Sequence, residues 1–253
     1  MSRILITICI SLILAMVVPA YSAVIGTWEN GDGDGWNTWN ADGGSNGSLL
    51  IGTLPRTGTT TYSSSTIGAT NGGSSLAVAA ASGYQQNFGL QSYKCTIDPT
   101  IQADFLNNTK FSIDVTYNSG SWPAGAWAQV YELVMQGTGL GWTGVGGRVA
   151  PTGENGVIFT DTLNPGYPGG LPNTNEGTPG TIMTGTWTWD YSALLPQMIA
   201  AGFTSTNGYV NFIFALNSST AGTYYFDNAR LTPEPATMAL LGLGGLALIR
   251  RKR

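Results

Sequence analysis

The middle of the chain alternates between apolar and polar residues, which is the pattern of half-buried β-strands. Over residues 111–117, Phe, Ile, Val and Tyr alternate with Ser, Asp and Thr. A nearly all-apolar run at 127–135 predicts a strand inside a sheet. Two late strands, separated by a turn at 217–222, and five shorter strands are also predicted; they cover 211–216, 223–231, 24–29, 49–53, 75–80, 157–160 and 186–192.

Helix signals are confined to one short segment, residues 193–201, which ends before Gly202. Pro196 fits only in a first helical turn, so this helix should begin near Leu194 or Leu195. The Pro- and Gly-rich stretch 164–180 predicts a long loop, either plain or a flap beside a ligand groove. Short strands with frequent turns and no fixed repeat predict an all-β fold: a single β-sandwich, jelly-roll-like, with one short helix.

The first 23 residues have the features of a signal peptide. Arg3 precedes a fifteen-residue apolar run at 4–18, which is short for a membrane span. The small residues in Ala20-Tyr21-Ser22-Ala23 then offer a cleavage site, and an uncleaved N-terminal anchor is the alternative. We therefore assign residues 1–23 to a signal peptide and 24–232 to the folded domain.

The C-terminal residues 233–253 have three parts in a fixed order. Pro233-Glu234-Pro235 is an extended segment that excludes helix, and Ala236–Ile249 is an uncharged apolar run. Arg250, Arg251, Lys252 and Arg253 end the chain and should stay on the cytoplasmic side. As a helix the apolar run spans only about 21 Å, less than the ~30 Å hydrocarbon core. Apolar helices are thus expected at both processed termini.

This three-part tail resembles the PEP-CTERM sorting signal. The resemblance implies recognition by an exosortase, cleavage near the Pro-Glu-Pro tripeptide, and delivery to the cell surface or the extracellular matrix. It also implies that the C-terminal helix anchors the protein in the membrane only until processing. A plain single-span anchor is the alternative interpretation.

Charge and composition exclude several functions for the body. Residues 24–232 hold five basic and thirteen acidic residues, a net charge of −8, so no basic patch for nucleic acid is expected. The chain has no histidine, which excludes histidine-based catalytic triads and histidine-ligated zinc. Cys9 lies in the signal peptide, so Cys95 remains without an intrachain disulfide partner.

Two acidic residues near the ends of the body are candidate ligands for a structural calcium ion. Glu29 is followed by a turn-rich loop and Trp36, while Asp227 follows Phe226 in the last predicted strand. The arrangement resembles secreted carbohydrate-binding jelly rolls, in which the first and last strands lie side by side. That resemblance implies that Glu29 and Asp227 share calcium; the alternative is that Asp227 caps a turn and Glu29 is exposed. The Asn30-x-Asp32-x-Asp34-Gly35 stretch mimics an EF-hand but has Ala41 at its twelfth position.

Aromatic residues are the candidate sugar-binding elements. Trp187, Trp189 and Tyr191 recur at every second residue, so they share one face of a strand and form either a stacking platform or part of the core. Four other tryptophans lie among Gly, Asn, Ser and Pro and are predicted loop residues: Trp36, Trp39, Trp122 and Trp142.

Function is predicted from these features together. No nucleophile elbow, phosphate loop or zinc motif is present, and no acidic residue stands out by local motif, so an enzyme is not expected. We predict an exported surface protein that binds carbohydrate or exopolysaccharide, with the export machinery and exosortase as further partners. The alternatives are a passive matrix component and a glycan-active hydrolase or lyase, which would need two facing carboxyl groups.

Overall fold

The computed structural model describes residues 22–29, 34, 36–38, 47–48, 60–80, 82–91, 99–118, 128–146, 156–163 and 182–233. Thirteen strands lie in this part of the chain: β1 (Ala23–Gly26), β2 (Trp36–Thr38), β3 (Gly47–Ser48), β4 (Thr60–Ser65), β5 (Ser75–Ala80), β6 (Gly83–Gln91), β7 (Lys110–Asn118), β8 (Ala128–Gly137), β9 (Gly141–Gly146), β10 (Ile158–Asp161), β11 (Ile182–Asp190), β12 (Val210–Ser218) and β13 (Gly222–Thr232). The two helices described are α1 (Pro99–Asn107) and α2 (Leu195–Ala200).

The strands form two antiparallel sheets that enclose one core. Sheet A has the order β10-β11-β7-β13-β5-β4, with β1 also paired to β13, and sheet B has the order β3-β2-β6-β12-β8-β9. Consecutive strands lie in different sheets through β5–β6–β7–β8 and β11–β12–β13, and the chain also crosses between the sheets at β1–β2, β3–β4 and β9–β10. The prediction of an all-β, jelly-roll-like sandwich is therefore confirmed. The two late strands, β12 and β13, lie in different sheets although they follow one another.

Alternation along β7 places its odd-numbered residues in the core. Phe111, Ile113 and Val115 are fully buried, while Ser112, Asp114 and Thr116 lie on the opposite face. That opposite face is also covered, because the segment 66–74 between β4 and β5 folds over it. A side chain added at Gly68 would lie 2.9 Å from the Thr116 Cβ atom.

Both helices pack against the core, α1 between β6 and β7 and α2 between β11 and β12. The predicted helix is confirmed as α2, with Pro196 in its first turn. Helix α1 was not predicted, and Asp104 lies in it. Its Ile101 and Phe105 are buried four residues apart, the spacing of one helical face. The signal is weak because the helix has only nine residues.

Several sequence predictions fall outside the described residues: the two apolar terminal runs, the strand at 49–53, the loop at 164–180, and Cys95. Neither helix within the described residues is long and apolar enough to cross a membrane. The predicted signal peptide ends at residue 23, and β1 begins at this same residue, Ala23.

Close packing at Gly26 gives a testable consequence. A Cβ atom there would lie 2.6 Å from the Trp36 Nε1 atom and 3.1 Å from the Trp28 ring. Gly26→Ala is expected to lower the free energy of unfolding by about 1–3 kcal/mol through overpacking. Gly73→Ala is the control, since its Cβ would meet nothing closer than 3.8 Å. Equal urea midpoints for the two variants would contradict this packing.

Candidate functional site

The predicted aromatic platform lies inside the sandwich. Trp187, Trp189 and Tyr191 are all fully buried, so no sugar can stack on them in this fold. The Trp187 ring packs against Phe226, and the Tyr191 ring stacks on Phe105 with centroids 4.3 Å apart. Burial, together with the charges of Asp190 and Asp104, raises the pKa of Tyr191 well above its usual value. The spacing left two interpretations open, a stacking platform and part of the core, and the second is correct.

The prediction of Trp36 as an exposed loop residue is wrong. Trp36 begins β2, is fully buried, and donates a hydrogen bond from Nε1 to the Ile25 carbonyl oxygen at 2.8 Å. Its polar neighbours concealed this role, because a short strand beside a loop leaves little alternation to detect. Trp39 and Trp122 lie outside the described residues, and Trp142 lies in β9, where only its backbone position is described.

The first and last strands lie side by side, as predicted. Strand β1 pairs with β13 through Ala23–Leu231 and Val24–Arg230. On the same edge of β13, β5 pairs with residues 222–226, so β13 changes partner near Asp227. A register shift follows Asp227, and Asn228 adopts a left-handed φ of 51°, which asparagine tolerates better than most residues.

Glu29 and Asp227 both bind the segment 66–74 where it crosses this change of partner. The Glu29 carboxylate accepts hydrogen bonds from the Gly73 and Ser74 amides at 2.9 and 3.0 Å. The Asp227 Oδ2 atom accepts from the Thr70 and Asn71 amides at 2.6 and 2.7 Å. Its Oδ1 atom accepts from the Asn228 amide at 2.7 Å. The two carboxylates thus fix one segment from either side.

This arrangement does not fit a calcium ion held jointly by Glu29 and Asp227. The groups that face both carboxylates are N–H and O–H donors, whereas calcium binds oxygen acceptors. Among the described residues there is also no group of three or more acidic or cysteine side chains that could hold a metal. Glu29 and Asp227 are therefore connected through the segment 66–74, which both carboxylates bind.

Asp114 extends the same network across sheet A. Its carboxylate accepts hydrogen bonds from the Arg230 guanidinium at 2.9 Å, the Thr186 hydroxyl at 2.8 Å and the Asn228 side-chain amide at 3.0 Å. The Thr70 hydroxyl lies 2.8 Å from Asp114 Oδ2 and 3.2 Å from Asp227 Oδ2. Because one hydroxyl carries one proton, we assign its donation to the nearer Asp114. These hydrogen bonds join strands β7, β11 and β13 of sheet A to one another and to the segment 66–74.

The pKa values of the two aspartates are shifted in opposite directions. Burial of Asp114 would raise its pKa, but the bonds from Thr186, Asn228, Thr70 and Arg230 together lower it below the usual value. Burial also raises the pKa of Asp227, and there the bonds from Asn71, Thr70 and Asn228 offset only part of the effect.

A row of amide residues crosses the face of sheet B that is turned away from the core. Asn211 stands opposite Gln91 on β6 and opposite Gln136 on β8, and Gln136 stands opposite Trp142 on β9. By register these four backbone positions form one cross-strand row, in which the side chains of Asn211 and Gln136 are described. We call it the amide row.

Asn211 is the unusual member of the amide row. It is 1% exposed, and its side-chain amide donates to Gln136 Oε1 at 2.9 Å. Its Oδ1 atom has no hydrogen-bond partner within the described part of the chain. An unpaired buried acceptor costs about 1–3 kcal/mol, so such an atom requires an explanation. Asn211 was not among the predicted site residues, which were aromatic or acidic; an asparagine between the apolar Val210 and Phe212 was the available signal.

The fold and the chain end together define a β-sandwich protein with a C-terminal sorting motif. Residues 231–253 match the model of the PEP-CTERM protein-sorting motif, which confirms that prediction. The match begins within β13, and of the predicted motif residues only Pro233, which is partly buried, is among the described residues. No curated protein sequence matches the chain.

Several solved structures resemble the sandwich. A carbohydrate-binding module of family 28, specific for non-crystalline cellulose, is 13% identical with a TM-score of 0.46; the match covers 84% of this chain and 96% of the module. The CBM27-1 module of Caldicellulosiruptor saccharolyticus, solved with mannohexaose, is 14% identical with a TM-score of 0.46, covering 85% and 99%. The K2 adhesin domain of Lys-gingipain is 16% identical with a TM-score of 0.41, covering 83% and 97%. Such identities concern the fold and not the ligand.

Proposed function

We propose that this chain is an exported, exosortase-sorted surface protein without catalytic activity that binds polysaccharide, with the partly exposed Gln136 of sheet B as the contact. The sorting part is supported by the matched motif at 231–253 together with the apolar N-terminal run at 4–18. The binding part is carried by one observation: buried Asn211 donates to the Oε1 atom of the partly exposed Gln136 and thereby fixes the orientation of that side chain.

The chemistry of the Asn211–Gln136 pair suits a sugar. Each side-chain amide has one acceptor oxygen and one NH₂ donor group. The bond between them uses the Asn211 donor and the Gln136 acceptor, which leaves the Gln136 NH₂ group available to a ligand. A sugar hydroxyl matches this group, because the hydroxyl oxygen can accept a hydrogen bond from the Gln136 nitrogen, while buried Asn211 holds Gln136 in position.

Charge narrows the ligand to a neutral polymer. The body carries a net charge of −8, which disfavours uronate- or sulfate-rich chains at moderate salt. A neutral polysaccharide with adjacent hydroxyl groups is therefore the proposed ligand class. A passive matrix component is the competing function, because the buried aromatic residues supply no stacking surface.

Binding is tested with the exported protein and a panel of neutral and acidic polysaccharides. Asn211→Ala and Gln136→Ala are each expected to weaken binding to a neutral polymer about tenfold, the effect of roughly 1.4 kcal/mol. Asn211→Ala should change the free energy of unfolding by less than about 1 kcal/mol, since it removes an unpaired acceptor along with one bond. Affinity electrophoresis and urea unfolding measure the two quantities.

The control is Thr61→Ala on the exposed face of edge strand β4, which should bind as the unmodified protein does. Unchanged affinity in both amide variants would move the site elsewhere. Failure to bind any member of the panel would favour the passive matrix role.

Sorting is tested separately on the tail. Removing Arg250–Arg253 takes away the cytoplasmic charges and should abolish surface display, because the apolar run then lacks its stop signal. Fractionation and surface labelling measure the outcome. Replacing Arg250, Arg251 and Arg253 with lysine is the control that keeps the charge and should preserve surface display. Normal display without the basic residues would contradict the sorting proposal.

A further inference from the structure

The first strand begins one residue earlier than the predicted end of the signal peptide allows. Ala23 is 3% exposed and pairs with Leu231, whereas Ser22 is exposed and precedes the strand. Cleavage after Ala23 would delete a buried residue from β1 and place the new charged amine inside the strand pairing. The folded domain therefore needs Ala23.

Residue sizes around this point distinguish the candidate bonds. Signal-peptide cleavage sites carry small residues immediately before the bond and two positions earlier. The Ser22–Ala23 bond has Ser22 and Ala20 at these positions, while the Ala23–Val24 bond has Ala23 and the bulky Tyr21. The Ala20–Tyr21 bond has Ala20 and the branched Val18 there.

We propose that a signal peptidase hydrolyses the Ser22–Ala23 bond, so that the mature chain starts with the first residue of β1. Water is consumed: its oxygen joins the Ser22 carbonyl carbon as a carboxylate, and the released Ala23 nitrogen becomes an ammonium group. The small–x–small sequence and the strand boundary are independent observations, and they select the same bond. This inference rests on the export part of the proposed function.

In the fold, the Ser22–Ala23 bond lies beside the start of the C-terminal sorting motif. Ala23 stands opposite Leu231, which is the first residue of the matched sorting motif, and Pro233 follows Thr232 at the end of β13. Both membrane-directed segments thus leave the sandwich at the same end of the β1–β13 pair. The two processing sites therefore adjoin neighbouring positions of the folded domain, although they are far apart in sequence.

The experiment uses the full chain expressed in a bacterium that exports it. The exported protein is expected to begin with Ala23-Val24-Ile25, as read by N-terminal sequencing or by the mass of its N-terminal peptide. Ser22→Leu and Ala20→Leu should each cause unprocessed precursor to accumulate. Tyr21→Phe, at the position between the two small residues, is the matched control and should be processed at the same bond.

The outcomes separate this inference from the export proposal. An exported chain that begins at Tyr21 or Val24, or that keeps residues 1–22, overturns the Ser22–Ala23 assignment and leaves export in place. A chain retained in the cytoplasm overturns export itself. Normal processing of the Ser22→Leu variant immediately before Ala23 would also contradict the assignment.

Discussion

Trp189→Ala is expected to lower the free energy of unfolding by about 3–5 kcal/mol, the range for deleting a buried aromatic side chain. The Trp189 ring is fully buried and lies 4.7 Å from Phe159 and 5.8 Å from both Phe111 and Phe214, centroid to centroid. It therefore joins strands of both sheets, and its loss leaves a cavity that the surrounding rings cannot fill. Urea unfolding of the exported protein measures the change.

Ile182→Ala is the control for Trp189→Ala. Ile182 lies on the same strand, β11, but is 53% exposed, so its truncation should change stability by no more than about 0.5 kcal/mol. The same pair of variants separates the core role from a sugar platform. Trp189→Ala with unchanged stability and lost polysaccharide binding would mean that the ring acts at a surface.

Period-two patterns predicted where strands run but not which face is solvent-exposed. The alternation of Trp187, Trp189 and Tyr191 is identical for a core strand and for a stacking platform, so only the position of the second sheet decides between them. Strand β7 was predicted because its apolar residues alternate cleanly. Strand β4 was missed because Tyr62 is its only buried large residue.

The candidate site shows a similar division between local and long-range information. The aromatic–aspartate pair at Phe226–Asp227 and the acidic Glu29 correctly predicted that the first and last strands meet. The true partners of Asp227 include Thr70 and Asn71 in the segment 66–74, which lie 157 and 156 residues away in sequence. No local pattern can supply such a contact. The Asn211–Gln136 pair, 75 residues apart, was inaccessible for the same reason.

Asp227→Ala is expected to lower the free energy of unfolding by about 3 kcal/mol or more, because each hydrogen bond to a charged group contributes roughly 1.5–3 kcal/mol. The truncation leaves the amides of Thr70, Asn71 and Asn228 without their acceptor. The acceptor is lost at a buried position, since Asp227 is fully buried. The segment 66–74 should then detach from sheet A and expose Asp114. Faster amide exchange at residues 70–74 would report the detachment directly.

The matched control for Asp227→Ala is Asp190→Ala on β11. Asp190 is partly exposed, forms a 3.7 Å ion pair with Lys110 and accepts one backbone hydrogen bond, from the Ser192 amide at 3.1 Å, so its truncation should cost less than that of Asp227, which accepts three. Equal effects of the two substitutions would contradict a special role for Asp227.

A shared calcium ion predicts a lower melting temperature after EDTA treatment, whereas the hydrogen-bond network predicts no change.

The pH dependence of stability provides an independent measure of the same two aspartates. The raised pKa of Asp227 means that the folded chain holds a proton that the unfolded chain has lost, so its contribution to stability falls as pH rises through that pKa. The lowered pKa of Asp114 means that its contribution is present above the usual value of 3.8 and is lost as pH falls through the folded value. Together they place the optimum for this pair near the ordinary carboxyl pKa of 3.8, where the Asp114 contribution is already present and the Asp227 contribution is not yet lost. Urea midpoints of Asp227→Asn should lack the decline toward neutral pH, because the asparagine side chain does not titrate, and an unchanged profile would exclude Asp227 as its source.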